Sequence, residues 1–417
     1  MAKRGLVVSY YFPPTGGGGV QRWLKLIKYL SQYEWEFTVI ANEHESSSPR
    51  DDSLLDEIPE STKIIRTTKA ASVGSLRTRI PFLSKSGYWQ RWLSALFHVT
   101  DSRMNWNKTA RKQIVAEIQN DTYDVIILSS PPYSMAILAA ALTNYTQCPV
   151  VLDLRDPWTI NPYKIYPTIL HVVLDRKREI RTIQDIKYII SAYQAPLDDY
   201  FRHVAEFEKK QVLLLPNGFD DEDFRDLKPI RLTDSGQLNI GFSGSIYSHL
   251  NRPDLIFEAI GLLKKENIEI HFHHIGTSVC DISDLADKYQ ISDQVHQWGY
   301  KNHHECLTIL QSLDVLCIIL DDRWPNAKYT IGGKFYEYLR FKKPILAVVP
   351  EDGEAARVIK QTDSGVTIYG KNVKKIAALL KKLIKKELSF SWKGVEEFSR
   401  ENQAADLNSY LEKIQQL

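Results

Sequence analysis

The sequence repeats one pattern almost from end to end: a short apolar run, then a segment with helical periodicity. Nearly unbroken apolar runs rich in β-branched residues are typical of parallel strands buried on both faces. The runs are "GLVVSY", "EFTVIA", "KIIRT", "DVIILSS", "PVVLDLR", "YIISA" and "QVLLLP" in the first half, and "LNIGFSGS", "IEIHFHHIG", "QVHQWG", "DVLCIIL", "KPILAVV" and "GVTIYG" in the second. Their alternation with helices predicts an α/β fold of doubly wound, Rossmann-like sheets.

The pattern lapses once, over residues 216–236, "PNGFDDEDFRDLKPIRLTDSG". This stretch is rich in Pro, Gly and Asp and reads as a linker. We therefore predict two domains, 1–217 and 218–390, followed by a closing helix over about 391–417 that packs back on the first domain. Ligands of open α/β sheets bind beyond the carboxyl ends of the strands, so we expect a cleft between the two domains there.

Composition excludes several classes of protein. A formal net charge of +2 over 417 residues gives no reason to expect a nucleic-acid partner. No stretch approaches the roughly 20 apolar residues that span a bilayer, and "MAKRGLVVSYYFPP" lacks the pattern of a secretory signal. Cys148, Cys280, Cys306 and Cys317 have no CxxC spacing and are expected to be buried, reduced thiols. We expect a cytoplasmic protein, with peripheral contact at the inner face of the membrane as an open alternative.

Four consecutive glycines, residues 16–19, lie between the first strand and the first helix. In that context backbone N–H groups can meet a phosphate, although the spacing is not GxGxxG and no Walker lysine follows. The loop is either a plain surface turn or a ligand-facing loop. In the second case Gly17 and Gly18 are the candidate contacts.

A second strand ends in small residues, Ser243, Gly244 and Ser245, before a helix that begins near Pro253. Arg252 stands just ahead of that helix, where a guanidinium and the helix N-terminal amides could grip a diphosphate together. The alternative is an arginine on the solvated surface.

The segment "YTIGGKFYEYLRF" places Lys334 and Glu337 on one face of a helix, directly after Gly333. A cation at a helix N-terminus suits phosphate oxygens, and a carboxylate one turn further suits sugar hydroxyls. The alternative is an ordinary i, i+3 salt bridge.

The segment "PVVLDLRDPWTINPY" ends a strand in Asp153, Arg155 and Asp156, which is typical of site residues. Asp153 could instead be a structural cap. The histidines of "HFHHIG" (271–274) alternate along an apolar strand and are expected to pack rather than bind metal. His303 and His304 begin a predicted helix and have no obvious partners for binding a metal.

Taken in order, these segments resemble the GT-B glycosyltransferases, and among them glycosyltransferase family 4 (glycosyl transferases group 1). The similar stretches are "LLLPNGFDDEDF", "VHQWGYKNHHECLTILQSLDVLCII" and "GGKFYEYLRFKKPILAV". The resemblance implies two Rossmann-like domains facing across a cleft, with an acceptor-side first domain and a nucleotide-sugar donor domain after it.

The same resemblance implies residue roles. Glu337 would hydrogen-bond the ribose hydroxyls, and Lys334 would face the diphosphate or the sugar. Gly299 and Tyr300 would border the nucleobase, and Arg252 would supply a second phosphate cation.

Departures from the family pattern concern the charge of the site. Tyr329 stands where the family often has a first glutamate, and Ser245 occupies the region of its usual arginine. Many members have a histidine and an aspartate where this chain has Arg155 and Asp156. We expect Asp156 to act at the sugar or the acceptor.

The expected function is therefore transfer of a sugar from a nucleotide-diphosphate sugar to a glycan or lipid-linked acceptor, in polysaccharide or glycoconjugate biosynthesis. Retention, no metal and no cofactor are implied, with Asp156, Arg155 and Lys334 as the catalytic candidates. The alternatives are a sugar-nucleotide epimerase of the same architecture and an inactive nucleotide-sugar-binding protein.

Two segments could serve the acceptor or a membrane. Residues 77–106 mix Arg, Lys, Trp and Phe, as an interfacial acceptor site would, and the alternative is a packed insertion. The segment "VKKIAALLKKLIKK" (373–386) is expected to pack on the sheet with a basic solvent side, and membrane contact is the alternative.

Overall fold

The computed structural model describes residues 2–45, 50–68, 92, 94–233, 236–246, 251, 253–278, 281–321 and 323–416. The chain forms two compact units. The first comprises Met1–Asn217 with Arg400–Leu417, and the second is Gly218–Ser399.

Within the described residues, the first unit contains a parallel sheet of seven strands in the order β3-β2-β1-β4-β5-β6-β7. The strands are β1 (Lys3–Ser9), β2 (Trp35–Asn42), β3 (Lys63–Thr67), β4 (Val125–Ser130), β5 (Val150–Leu154), β6 (Tyr188–Ser191) and β7 (Gln211–Leu214). The helices are α1 (Gly18–Leu30), α2 (Trp106–Asn120), α3 (Ser134–Thr143), α4 (Ile169–Gln184) and α5 (Gln194–His203). The strand order reverses between β1 and β4, where ligands of doubly wound sheets bind.

The second unit repeats the plan with six described strands in the order β10-β9-β8-β11-β12-β13, all parallel. They are β8 (Leu238–Ser243), β9 (Ile270–Ile275), β10 (Val295–Gly299), β11 (Val315–Ile319), β12 (Ile345–Val348) and β13 (Gly365–Ile368). The helices are α6 (Pro253–Lys264), α7 (Ile282–Lys288), α8 (His303–Ser312), α9 (Lys334–Phe341), α10 (Glu354–Thr362) and α11 (Val373–Ile384). The predicted fold class, two doubly wound Rossmann-like units, is confirmed.

The closing helix, α12, spans Arg400–Gln415, so the prediction that helix begins near residue 391 is wrong. Trp392 and Gly394 have positive φ and Ser399 is extended, conformations that interrupt a helix; only a short 3₁₀ turn, Val395–Phe398, precedes α12. The apolar face of α12 packs into the first unit's core beside α1, and Asn408 accepts a hydrogen bond from Trp35 Nε1 at 2.8 Å.

The lysine-rich helix α11 lies against α6 with Ile376, Leu380 and Leu383 in the core of the second unit, as the packing interpretation predicts. His273 and His274 are buried, and His273 stacks on His296 with ring centroids 4.6 Å apart, which confirms their packing role. Burial and its two histidine neighbours lower the pKa of His273 to about 3, so the imidazole is neutral in the folded chain.

Cys306 and Cys317 are buried free thiols, as predicted, whereas Cys148 is partly exposed. Cys280 lies outside the described residues. In the described part of the chain, no helix is both long enough and apolar enough to cross a bilayer.

Candidate functional site

In the second unit, α9 begins directly after Gly332 and Gly333, with Lys334 as its first residue. The Lys334 ammonium lies 2.9 Å from Ser243 Oγ, at the end of β8, and 3.2 Å from Cys306 Sγ. Tyr338, one turn along α9, accepts a hydrogen bond from the Ser243 backbone N–H at 2.7 Å. The fold therefore brings Lys334 and Ser243, predicted from separate motifs, into contact.

Helix α8 supplies the other side of this cluster. Its residues His303 and Cys306 face Glu337 and Lys334 of α9, so two i, i+3 pairs on neighbouring helices are matched. His303 Nε2 lies 3.2 Å from Glu337 Oε1. Neither α8 residue was predicted for the site. Their spacing of three at a helix start, the same as that of Lys334 and Glu337, is the signal that could have found them.

The charges of the cluster support one another. Burial lowers the pKa of Lys334, but the Cys306 thiol and the Glu337 carboxylate outweigh it, so the pKa lies above its ordinary value and the ammonium is retained. Burial also lowers the pKa of His303, but the hydrogen bond to Glu337 and the charge of Asp223 outweigh burial, so the pKa lies above its ordinary value. The Asp223 carboxylate lies 3.9 Å from His303 Nδ1. The site thus holds a fixed cation beside an oriented carboxylate.

Close backbone approach explains the small residues after β8. Gly244 has φ +137°, and its carbonyl accepts a hydrogen bond from His274 Nε2 at 2.9 Å. A Cβ on Gly276, at the end of β9, would lie 2.3 Å from the Gly244 oxygen. The Ser245 hydroxyl lies 3.1 Å from that of Thr277. Arg252 lies outside the described residues.

Gly299 and Tyr300 end β10 at the same edge of the sheet. The Gly276 N–H donates to the Gly299 carbonyl at 2.8 Å, which ties the end of β10 to that of β9. The Tyr300 side chain is 63% exposed. Because β10, β9 and β8 are neighbours, both residues lie along the edge that carries Ser243.

In the first unit, Asp153 has a structural role. Its carboxylate is buried and accepts hydrogen bonds from Arg22 (2.9 Å), Trp23 Nε1 (2.7 Å) and Ser129 Oγ (3.0 Å). These contacts fix α1 to β4 and β5, so Asp153 acts through a buried ion pair and side-chain hydrogen bonds rather than as the cap named in the sequence alternative.

Arg155 holds the glycine loop. Its buried guanidinium donates to the backbone carbonyls of Gly19 and Pro131, and burial lowers its pKa. A Cβ on Gly19 would lie 3.1 Å from Arg155 Nη1. Gly17 has φ +100° and caps α1, while a Cβ on Gly17 or Gly18 would meet open space. The loop therefore presents free backbone at the carboxyl end of β1.

Asp156 lines a pocket of about 460 Å³ in the first unit. Its wall includes Tyr133, whose hydroxyl accepts a hydrogen bond from Asn161 at 2.7 Å, and the side chain of Lys164. Burial raises the pKa of Asp156 to about 6, against the opposing charges of Arg155 and Arg22. This carboxyl can therefore change charge near neutral pH.

Residues 223–403 match the model of the family described as "Glycosyl transferases group 1". This segment covers most of the second unit, including the cluster around Lys334 and Glu337. The match to this family therefore falls almost entirely on the second unit. No curated protein sequence matches the chain.

Solved structures extend the likeness to the whole chain. Sucrose-phosphate synthase from Thermosynechococcus elongatus gives a TM-score of 0.68 at 12% identity over 99% of both chains. HepE from Anabaena in complex with UDP gives a TM-score of 0.61 at 12% identity, over 99% of this chain and 100% of the HepE chain. The lipopolysaccharide outer core galactosyltransferase WaaB gives a TM-score of 0.60 at 12% identity, over 99% of both chains. At such identities the likeness establishes the fold, which is GT-B.

Proposed function

We propose that this protein is a glycosyltransferase that moves a sugar from a nucleotide-diphosphate sugar to a glycan or lipid-linked acceptor, with retention and without a metal ion. The observation that carries the proposal is the placement of Lys334, in contact with Ser243, and Glu337, in contact with His303, one turn apart at the start of α9, inside the segment that matches the group 1 family.

Lys334 stabilises the leaving nucleoside diphosphate. Negative charge grows on the leaving phosphate as the anomeric bond breaks, and a cation fixed in advance lowers the barrier without reorganising. Ser243 and Cys306 engage two of the three N–H donors of the ammonium, and among the described residues the third has no acceptor, so it can donate to a phosphate oxygen. The helix N-terminus adds partial positive charge.

Glu337 accepts hydrogen bonds from the ribose hydroxyls, and His303 orients its carboxylate. Gly299 and Tyr300 border the nucleobase at the end of β10. Ser243 and Gly244 approach the donor through backbone. HepE, a structural neighbour, is solved with UDP and with UDP-glucose, which makes UDP-sugars the first donors to test.

Asp156 acts at the sugar or the acceptor. It lines the pocket of the first unit, and its raised pKa suits a group that exchanges a proton near neutral pH. Arg155 positions this region by holding the backbone at Gly19 and Pro131.

Incubation with nucleotide sugars distinguishes the three functions that this architecture allows. A transferase converts the donor much faster when crude glycan or lipid-linked acceptor is added, and the labelled sugar appears in the acceptor. An epimerase converts the donor equally well without acceptor. A binding protein leaves every donor that it binds unconverted, and either of the last two results would contradict the proposal.

Substitution of Asp156 by asparagine should lower kcat by about 10²-fold or more, as loss of a proton-transfer group does. In the wild type, turnover should fall as the pH drops through about 6, because the carboxylate becomes protonated there. Asp156→Asn should lack that titration. His98→Gln is the control, since His98 lines the same pocket. Unchanged turnover in Asp156→Asn would exclude the role.

A further inference from the structure

The first two turns of helix α4 in the first unit carry their apolar residues on the outside, whereas Ile180 and Ile183 near its end pack on the core. Ile169 is 82% exposed and Leu170 is 63% exposed, and the three aliphatic residues at 172–174 are each about 40% exposed. Phe97, which is 78% exposed, is joined to the same end of the helix, because His171 Nε2 lies 3.3 Å from the Leu96 carbonyl. We call this set the α4 apolar surface: Phe97, Ile169, Leu170, Val172, Val173 and Leu174.

A buried polar network fixes this orientation. Asp175, on the inner face of α4, accepts hydrogen bonds from Thr100 (3.0 Å), Trp158 Nε1 (3.1 Å) and Tyr166 (2.7 Å), and pairs with Lys164. Rotating α4 to bury its exposed aliphatic side chains would separate the Asp175 carboxylate from these partners, which would cost free energy of folding.

Glu179, one turn further on the same inner face, accepts hydrogen bonds from the Tyr200 hydroxyl at 2.8 Å and from Arg176 at 2.9 Å. The helix is therefore held by its acidic side chains. The apolar side chains of its first two turns, at 169, 170 and 172–174, face outward as a consequence.

The charge of the exposed face is of one sign. All residues of α4 are described, and its two acidic side chains, Asp175 and Glu179, are buried. Lys177 and Arg181 are exposed one to two turns beyond the α4 apolar surface. Exposed apolar residues with basic residues next to them are typical of a segment that lies in the interface of an anionic bilayer.

We propose that the α4 apolar surface inserts into the interfacial region of an anionic lipid bilayer. This inference rests on the proposed function, because a membrane site would bring a lipid-linked acceptor to the pocket around Asp156, which Tyr163, Lys164 and Ile165 line just before α4. A two-fold contact with a second copy would bring Lys177 and Arg181 of both copies close together, and their like charges would repel. Residues 69–91 of this chain contain basic but no acidic residues and would meet the same repulsion.

Co-sedimentation with phosphatidylcholine vesicles, with and without phosphatidylglycerol, tests the proposal on the full chain. We expect binding only to the phosphatidylglycerol vesicles, and a decrease as salt is raised. Ile169→Gln/Leu170→Gln should weaken binding by about tenfold or more. Lys177→Gln/Arg181→Gln should weaken it about thirtyfold at low salt. Phe201→Gln is the control, because Phe201 is 66% exposed elsewhere in the first unit.

Absence of vesicle binding by the wild type, or equal binding by Ile169→Gln/Leu170→Gln, would overturn the proposal. A concentration-dependent dimer that the same double variant abolishes, measured by light scattering, would assign the surface to a second copy and also overturn it. Nucleotide-sugar binding measured on the same samples separates the two claims: vesicle binding can fail while the donor binds, and the reverse.

Discussion

Replacement of Lys334 by methionine should lower kcat for sugar transfer by about 10²- to 10³-fold, the usual effect of removing one preorganised group that stabilises transition-state charge. Methionine keeps the length of the side chain and removes the charge beside Ser243 and Cys306. Because the lost interaction strengthens as the leaving phosphate gains charge, kcat should fall more than donor affinity does. Steady-state release of the nucleoside diphosphate measures both.

Lys360→Met is the matched control, since this lysine is exposed in the last turn of α10 in the same unit. Turnover of that variant should equal the wild type. If Lys334→Met retained turnover within about twofold, the fixed cation would not be part of the chemistry.

Replacement of Asp153 by alanine should lower the free energy of unfolding by about 3–5 kcal/mol, because it leaves the Arg22 guanidinium buried without its carboxylate. The Arg22 and Asp153 side chains are 1% and 0% exposed, and Asp153 also satisfies Trp23 and Ser129. Urea denaturation followed by tryptophan fluorescence measures the change.

Asp52→Ala provides the comparison, because the Arg50–Asp52 pair is exposed and its loss should leave the urea midpoint unchanged. A change in Asp153→Ala of less than about 1 kcal/mol would mean that the buried network around Asp153 does not hold α1 on the sheet.

The strands were predictable because most buried parallel strands are continuous apolar runs. The exception is β10, which contains His296 and Gln297 and is only partly buried, although its bounds also fall within the predicted run. The first residue of α12 was not predictable, because the backbone conformations of Trp392, Gly394 and Ser399, rather than the apolar periodicity, determine where this helix begins. The outward-facing apolar residues of α4 were also missed, since the partners of Asp175 and Glu179 that fix its orientation lie far away in sequence.

The residues of the candidate site also differ in whether the sequence alone could place them. Lys334 and Ser243 could be placed together from sequence, because strand-to-helix loops of a parallel sheet meet at one edge. His303 and Cys306 have the same spacing of three as Lys334 and Glu337, but only the packing of α8 beside α9 shows that the two pairs are in contact. Asp153 and Arg155 stand two residues apart at one strand end, yet one fixes α1 and the other holds loop carbonyls. Only their partners distinguish these roles.

Isothermal titration of the protein with UDP-, GDP-, ADP-, dTDP- and CMP-sugars, in the wild type, Glu337→Ala and the exposed control Glu351→Ala, tests the central claim most directly. We expect at least one nucleotide-diphosphate sugar to bind the wild type and Glu351→Ala equally. Glu337→Ala should bind it about 10- to 100-fold more weakly, as loss of hydrogen bonds to a charged group predicts. If no nucleotide sugar bound, or if Glu337→Ala bound like the wild type, helix α9 would not be the donor site.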